Sequence, residues 1–355
     1  MIIVVSVIGM IVIDVYHKGK QRSFENIYNT TSLSGIANSS QTDQHDNKEQ
    51  KKQILLKDKP IILNETTDSF LAYGGFINRS RQYDKVCIVL AGYRQFLYNL
   101  TFGRLAKYLD PEIDVCILSS GRYDEELVRI AQTNRWSYLY TTKNNICLIL
   151  NVAIRLHNKA KLIFKLDEDI FITQDYFSKM LAAYHHAQMS EWNPGIIGPL
   201  ITVNRYSSLR ILKRFGCVKE YNQRFHNYKY PLNTVWSNVS AAQFFWGDNG
   251  GCLPSLDIMN ANVTRLPLEE RICPIRYSIG AILYERRIWE AMHYYDISKS
   301  NAAPDENQLL TWCCLNNRPV MVSENIIVGH FCAQKQIGEM KQYLLEHPHH
   351  FQLPE

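Results

Sequence analysis

The chain has 355 residues, enough for one large or two ordinary domains, and with 46% apolar and 21% charged residues it is expected to fold around a core. Lys and Arg exceed Asp and Glu by 39 to 34, a mild basic excess that suits an anionic ligand or a membrane surface and selects neither. No Arg- or Lys-rich run carries interleaved aromatics, so nucleic acid is not an expected partner.

The chain opens on Met1 to Ile13, almost wholly apolar, which stops at Asp14 and is followed by Lys18, Lys20 and Arg22. This is shorter than the roughly 20 residues that span a bilayer as a helix. Val15 and Tyr16 extend it, and residues 1–17 read as a short membrane anchor, with the h-region of a signal peptide as the alternative. Positive charges after the apolar stretch favour the cytoplasmic side for the domain beyond them. Residues 18–83 read as a linker, largely disordered, because Ser23 to Lys59 is rich in Asn, Ser, Thr, Gln and Lys and nearly free of aromatics. Sequons at Asn29, Asn38, Asn64, Asn78, Asn99, Asn238 and Asn262 argue the other way, for a single-pass protein in the Golgi lumen. The nine cysteines include no C-x-x-C pair and several fall in apolar runs, which predicts buried thiols in a reduced compartment and no zinc finger.

From Asp84 onward strand and helix alternate. Lys85 to Leu90 reads as a strand and Ala91-Gly92-Tyr93-Arg94 as a turn, with a helix over Gln95 to Leu109. A second strand, Asp114 to Leu118, ends in Ser119-Ser120-Gly121 and is followed by a helix over Asp124 to Thr133. Trp136 to Tyr140, the helix Asn145 to Leu156 and the strand Lys161 to Leu166 continue the pattern. Such alternation predicts an α/β fold with a mostly parallel sheet covered by helices, whose ligands gather at the carboxyl ends of the strands. Residues 84–203 then form one half and 204–355 a second. In the second half, Asn204 to about Glu270 is aromatic, punctuated by Gly and Asn, and reads as an irregular binding segment. Beyond it come a strand (Ile275 to Tyr284), helices over Arg287 to Tyr295 and Pro304 to Leu315, and a strand from Pro319 that ends in Gly329-His330.

The chemistry concentrates in Leu162-Ile163-Phe164-Lys165-Leu166-Asp167-Glu168-Asp169-Ile170-Phe171-Ile172, an apolar run broken by three consecutive acids. A buried strand carries such a cluster only at its end, where carboxylates meet water or a cation. Two Asp one residue apart suit Mg²⁺ or Mn²⁺, which take oxygen ligands and keep several positions for water and substrate phosphates. A solvated acidic turn is the alternative for the triplet taken alone.

The order of the parts resembles the GT-A, family-2-like glycosyltransferases, and more closely a bacterial branch associated with surface polysaccharides. The resemblance covers Asp84 to His330. It rests on Lys165-Leu166-Asp167-Glu168-Asp169-Ile170-Phe171, Ser278-Ile279-Gly280-Ala281-Ile282-Leu283, Asp305-Glu306 and Val328-Gly329-His330-Phe331. It implies a Rossmann-like GT-A fold and a nucleotide-diphosphate sugar donor, most simply a UDP-sugar. Asp167 and Asp169 would hold Mn²⁺ or Mg²⁺ on the donor diphosphate, with His330 as a further metal or diphosphate ligand or merely a satisfied strand-end residue, and Glu168 a weaker ligand or turned elsewhere. Glu306 or Asp305 would be the general base; the family's usual order is an acid followed by Asp, reversed here, so the choice stays open, with helix-dipole stabilisation as the rival role. Ala91, Gly92, Tyr93 and Arg94 would receive the nucleotide, with Ser119 at the place where relatives often carry an Asp. Asn145 would reach the ribose or merely cap its helix. Trp246 and Asp248 are candidates for the acceptor wall, with core packing as the alternative for Trp246.

These readings converge on an enzyme, a metal-dependent glycosyltransferase acting on a glycan or lipid-linked acceptor hydroxyl at a membrane, inverting because one base suffices. A sugar nucleotidyltransferase is a rival, although the turn after the first strand is short for a phosphate loop. A non-catalytic glycan-binding protein on a transferase fold is another.

Overall fold

The computed structural model describes residues 61–63, 74–226, 229, 232, 234–247, 251–299 and 303–354. The apolar segment at Met1 to Ile13, most of the expected linker and Asp248 lie outside the described residues. Among the described residues no helix is long and apolar enough to cross a membrane.

In chain order come strands β1 (Ile61–Leu63), β2 (Gly74–Ile77) and β3 (Lys85–Ala91), helix α1 (Tyr98–Tyr108), β4 (Asp114–Ser120), α2 (Glu125–Thr133), β5 (Ser137–Thr141), α3 (Ile146–Leu156), β6 (Leu162–Asp167), β7 (Ile170–Phe171), α4 (Tyr176–Met189) and β8 (Ile196–Ile201). Helices α5 (Arg205–Arg214), α6 (Val218–Phe225), α7 (Thr234–Ser237), α8 (Val239–Phe244) and α9 (Leu256–Thr264) come next. The chain then forms β9 (Glu270–Ile272), β10 (Ala281–Glu285), α10 (Arg286–Ala291), α11 (Pro304–Leu315), β11 (Val320–His330) and α12 (Ile337–Glu346).

The strands join in one sheet of order β1-β2-β5-β4-β3-β6-β10-β8-β11-β7, with β9 on β11. β5, β4, β3 and β6 run parallel, as the alternation predicted. Their cores are apolar on both faces, Val86, Ile88, Ile117 and Ile163 among them, because helices cover both sides. Capping sets the helix starts: Asp124 Oδ1 accepts from the amides of Glu126 (3.1 Å) and Leu127 (3.2 Å), and Asn145 Oδ1 from that of Leu148 (2.9 Å).

Three expectations need correction. The sheet is mixed rather than mostly parallel, since β10 is antiparallel to both β6 and β8, and β7 and β9 are antiparallel to β11. It also starts before Asp84, because β1 and β2 pair antiparallel onto β5 from within the expected linker. The stretches 84–203 and 204–355 both contribute to this one sheet, with β10 between β6 and β8, inside the compact unit Asp58–Glu355. Finally, the segment after Asn204 is helical, its short amphipathic helices too brief and too rich in Asn and aromatics to reveal a period. Of the strand expected over Ile275 to Tyr284 only β10 forms, as Tyr277 turns into the core, where its hydroxyl donates to Pro199 O at 2.6 Å and its ring fills the space beside Gly198.

Cysteine usage differs from expectation in one place. Cys217 and Cys252 form a disulfide with Cα atoms 5.8 Å apart. Of the other seven, six are buried and Cys314 is exposed.

Candidate active site

The strand order delivers β3, β4 and β6 side by side with their carboxyl ends together, and the acid triplet leaves β6 at that edge. β6 ends at Asp167, and Glu168 and Asp169 make the turn into β7. The cleft they border measures about 380 Å³, and Tyr93, Arg94, Ser120, His330 and Gln334 contribute to its lining.

Glu168 is no cation ligand. Its carboxylate accepts from the backbone amides of Gly92 (2.8 Å) and Tyr93 (3.1 Å) and is buried. Burial pushes its carboxyl above the usual carboxylate range, and the amides of Gly92, Tyr93 and Arg94 oppose that shift. These amides are spent on Glu168, which removes them as phosphate donors. Gly92 (φ +118°) takes a left-handed conformation that lets the turn close on the acid, and Ala91 is buried beneath it. What the turn offers the cleft is side chains. The Tyr93 ring is 61% exposed and anchored by its hydroxyl to Ser120 O at 2.7 Å. The Arg94 guanidinium is held by Gln334 Oε1 at 2.9 Å.

Asp169 is brought to His330 by the pairing of β7 with β11, in which His330 lies opposite Ile170, and by the Phe331 amide, which donates to Asp169 O at 3.0 Å. Asp169 Oδ2 lies 3.0 Å from His330 Nε2 and contacts the Arg94 guanidinium. His330 Nδ1 lies 3.3 Å from Val203 O. A carbonyl only accepts, so Nδ1 carries the proton and Nε2 presents its lone pair to the carboxylate. Burial, with the Arg94 charge second, pushes the imidazole down to about 4, leaving it neutral at pH 7. Gly329 must be glycine: a Cβ there would meet Trp246 Cη2 at 2.5 Å and Leu256 Cδ2 at 2.9 Å.

Asp167 keeps one oxygen on Lys165, whose Nζ stands 2.7 Å from Oδ1, and its own amide donates to Gly280 O at 2.8 Å. The bare Cα of Gly280 makes room for the other oxygen, since a Cβ would lie 3.3 Å from Asp167 Oδ2. Asp305 is buried with Oδ2 3.6 Å from Lys165 Nζ, so it is the counter-ion of a buried lysine and is withdrawn from solvent. Glu306 pairs with Arg276 Nε at 2.5 Å, and its second oxygen accepts from the Ile279 amide at 3.4 Å. Its charge acts on both Lys165 and His330.

The Asp169–His330 pair calls for a positive charge beside it. Asp169 Oδ2 is buried without a hydrogen-bond donor of proper geometry, and it meets the lone pair of a neutral imidazole. Two acceptors so placed repel unless a positive charge lies between them, a need Arg94 meets in part. Among the described residues no group of three or more His, Cys, Asp and Glu side chains is placed to hold a metal ion by itself. An Mg²⁺-like ion requires no such group, because it keeps waters and substrate oxygens among its ligands.

The remaining predicted residues lie elsewhere. Ser119 is buried under Gly92, away from the cleft, and its neighbour Ser120 takes the lining position. Asn145 is the cap of α3, and its amide nitrogen donates to Ile297 O at 2.8 Å, so both its polar atoms are engaged in structural bonds. Trp246 is wholly buried against Phe171 and Phe351, with ring centroids 5.0 and 4.4 Å away, and it is core rather than acceptor wall. Lys165, Arg276 and Gln334 are site residues that the sequence did not single out. Only Lys165 left a signal there, as a cation inside an apolar strand two residues from an acid.

No protein-family model matches the chain, and no curated protein matches it. Among solved structures it is similar to the mannosyltransferase PcManGT from Pyrobaculum calidifontis in complex with GDP-Man and Mn²⁺, at 10% identity and a TM-score of 0.43, covering 81% of this chain and 65% of that one. It is similar to S. aureus TarS 1-349 at 12% identity and 0.40, covering 76% and 67%. It is similar to GalNAc-T7 with UDP, GalNAc and Mn²⁺ at 12% identity and 0.43, covering 78% and 52%. The chain thus spans between about half and two thirds of these proteins. The likenesses are distant and concern the fold.

Proposed function

We propose that this chain is a metal-dependent glycosyltransferase of GT-A-like fold, moving a sugar from a nucleotide diphosphate, most simply a UDP-sugar, to a hydroxyl of a glycan or lipid-linked acceptor. The observation that carries it is the meeting of Asp169 Oδ2 and His330 Nε2 at 3.0 Å in a cleft at the carboxyl ends of parallel strands, beside Asp167. Asp169, His330 and the outer oxygen of Asp167 would hold Mn²⁺ or Mg²⁺. The ion when bound supplies Lewis-acid neutralisation of charge on the leaving diphosphate. Arg94 pairs with that diphosphate, as its planar fork suits, and the Tyr93 ring gives the base or the donor sugar a face to lie on. Glu306 takes the proton from the acceptor hydroxyl as that oxygen attacks the anomeric carbon. The burial of Asp305 on Lys165 favours Glu306 over it as the base. One base carboxylate suffices for a single displacement, so inversion is the course proposed.

Incubation with a panel of UDP- and GDP-sugars, with and without Mn²⁺, tests this. Nucleotide released only with metal, and lost in Asp169→Asn, supports the reading; no release from any donor overturns it.

The membrane is proposed as the place of action on the strength of Met1 to Ile13. For the side, the Cys217–Cys252 disulfide and the exposure of Asn78, Asn99, Asn238 and Asn262 favour the oxidising, luminal alternative over the cytoplasmic one.

A further inference from the structure

Lys165 is 4% exposed on a strand otherwise lined with Ile163, Phe164 and Leu166, and a buried lysine requires a reason. An ammonium has three donors. Here they point at Asp167 Oδ1 (2.7 Å), Ile279 O (3.1 Å) and Asp305 Oδ2 (3.6 Å). Ile279 is held at its other backbone group too, its amide donating to Glu306 Oε2 at 3.4 Å. Thus one cation ties the end of β6, the segment before Gly280 and the first turn of α11. Glu306 comes directly after Asp305 in that turn.

Resting on the function proposed above, we infer that Lys165 is a positioning residue that fixes the metal-side carboxylate Asp167 relative to the base carboxylate Glu306. By holding Oδ1 of Asp167 it turns Oδ2 toward the gap left by Gly280. By holding Asp305 it sets where α11 begins, and so where Glu306 stands. A neutral side chain of equal length would fill the space and do neither. Lys165 touches no reacting atom in this scheme. Its effect passes through the two acids.

The test uses the full chain as wild type, Lys165→Met, Asp305→Asn and the double variant. The double variant guards against misfolding, since Lys165→Met alone leaves Asp305 buried without a partner. Two measurements are made: the urea midpoint without metal, and Mn²⁺ affinity in the presence of UDP by the EPR signal of free Mn²⁺. In the midpoints, the two single losses are expected to exceed that of the double variant, as for a coupled pair. Mn²⁺ affinity is expected to fall about 10- to 100-fold in the double variant, as for loss of a group that orients a ligand. It should stay within about threefold in Asp305→Asn, where Lys165 still holds Asp167. Midpoint losses that simply add, or a double variant that binds Mn²⁺ like wild type, would overturn the inference. A wild type that neither binds Mn²⁺ nor releases nucleotide overturns the proposed function instead, and the midpoints still decide the linkage through Lys165.

Discussion

Asp169 Oδ2 faces His330 Nε2 across 3.0 Å, two acceptors with the Arg94 guanidinium as the cation beside them. The pairing of β7 with β11 imposes the contact, which is why a residue of the acid triplet and one far along the chain share a site. Asp169→Asn removes the charge and keeps the shape. We expect kcat to fall on the order of a hundred- to a thousandfold, as when a preorganised electrostatic partner is lost, with Mn²⁺ affinity falling alongside. Steady-state nucleotide release and a Mn²⁺ titration check it; unchanged affinity would remove Asp169 from the metal.

Glu306 and Asp305 separate by burial, and substitution should separate them in kinetics. Glu306→Gln is expected to lower kcat by about a hundred- to ten-thousandfold, with little change in KM for the donor, because the residue meets the acceptor hydroxyl. Glu306→Gln with near-normal turnover would hand the role of base to another group.

Glu168 fastens the turn that carries Tyr93 and Arg94. Glutamine supplies one acceptor oxygen in place of two and brings an NH₂ that cannot accept from a backbone amide. Glu168→Gln is expected to cost about 1–3 kcal/mol of stability and to raise the donor KM more than it lowers kcat. Thermal unfolding and donor saturation curves measure the two effects; a change confined to kcat would mean that Glu168 has a chemical part.

Fold and site are legible in the sequence where a single strand carries the information. The apolar runs of β3, β4 and β6 and the acid triplet at a strand end need only a period and a break in it. Glu168 escapes such a reading because the direction of its side chain is decided by partners far along the chain, the amides of Gly92 and Tyr93 about 76 residues away. Asn145 and Trp246 are polar or aromatic enough to suggest ligands, yet their partners, Leu148, Ile297, Phe171 and Phe351, are structural. The pairing of Asp305 with Lys165 needs β6 and α11 side by side, and nothing local to either residue announces it.

The disulfide makes a count. With Cys217 and Cys252 joined, a denatured, non-reduced sample should titrate seven thiols, and nine after reduction. Closing a loop of 35 residues, the bond is expected to contribute about 2–4 kcal/mol, lost on adding reductant. Nine thiols without reductant would show the two cysteines unpaired and withdraw the luminal argument.

His157 makes stability depend on pH. Its Nδ1 lies 2.9 Å from Ala153 O, and burial holds the imidazole below its ordinary value. The unfolded chain, with a histidine near 6.5, therefore takes up a proton as pH falls before the folded protein does. The stabilisation is complete above about pH 6.5 and is lost on acidification, at up to about 1.4 kcal/mol per pH unit for one proton. Urea midpoints of the metal-free protein at pH 7.5 and 5.5 measure the slope, which should flatten in His157→Gln by one proton's share. An equal slope in wild type and variant would assign the acid sensitivity to other groups.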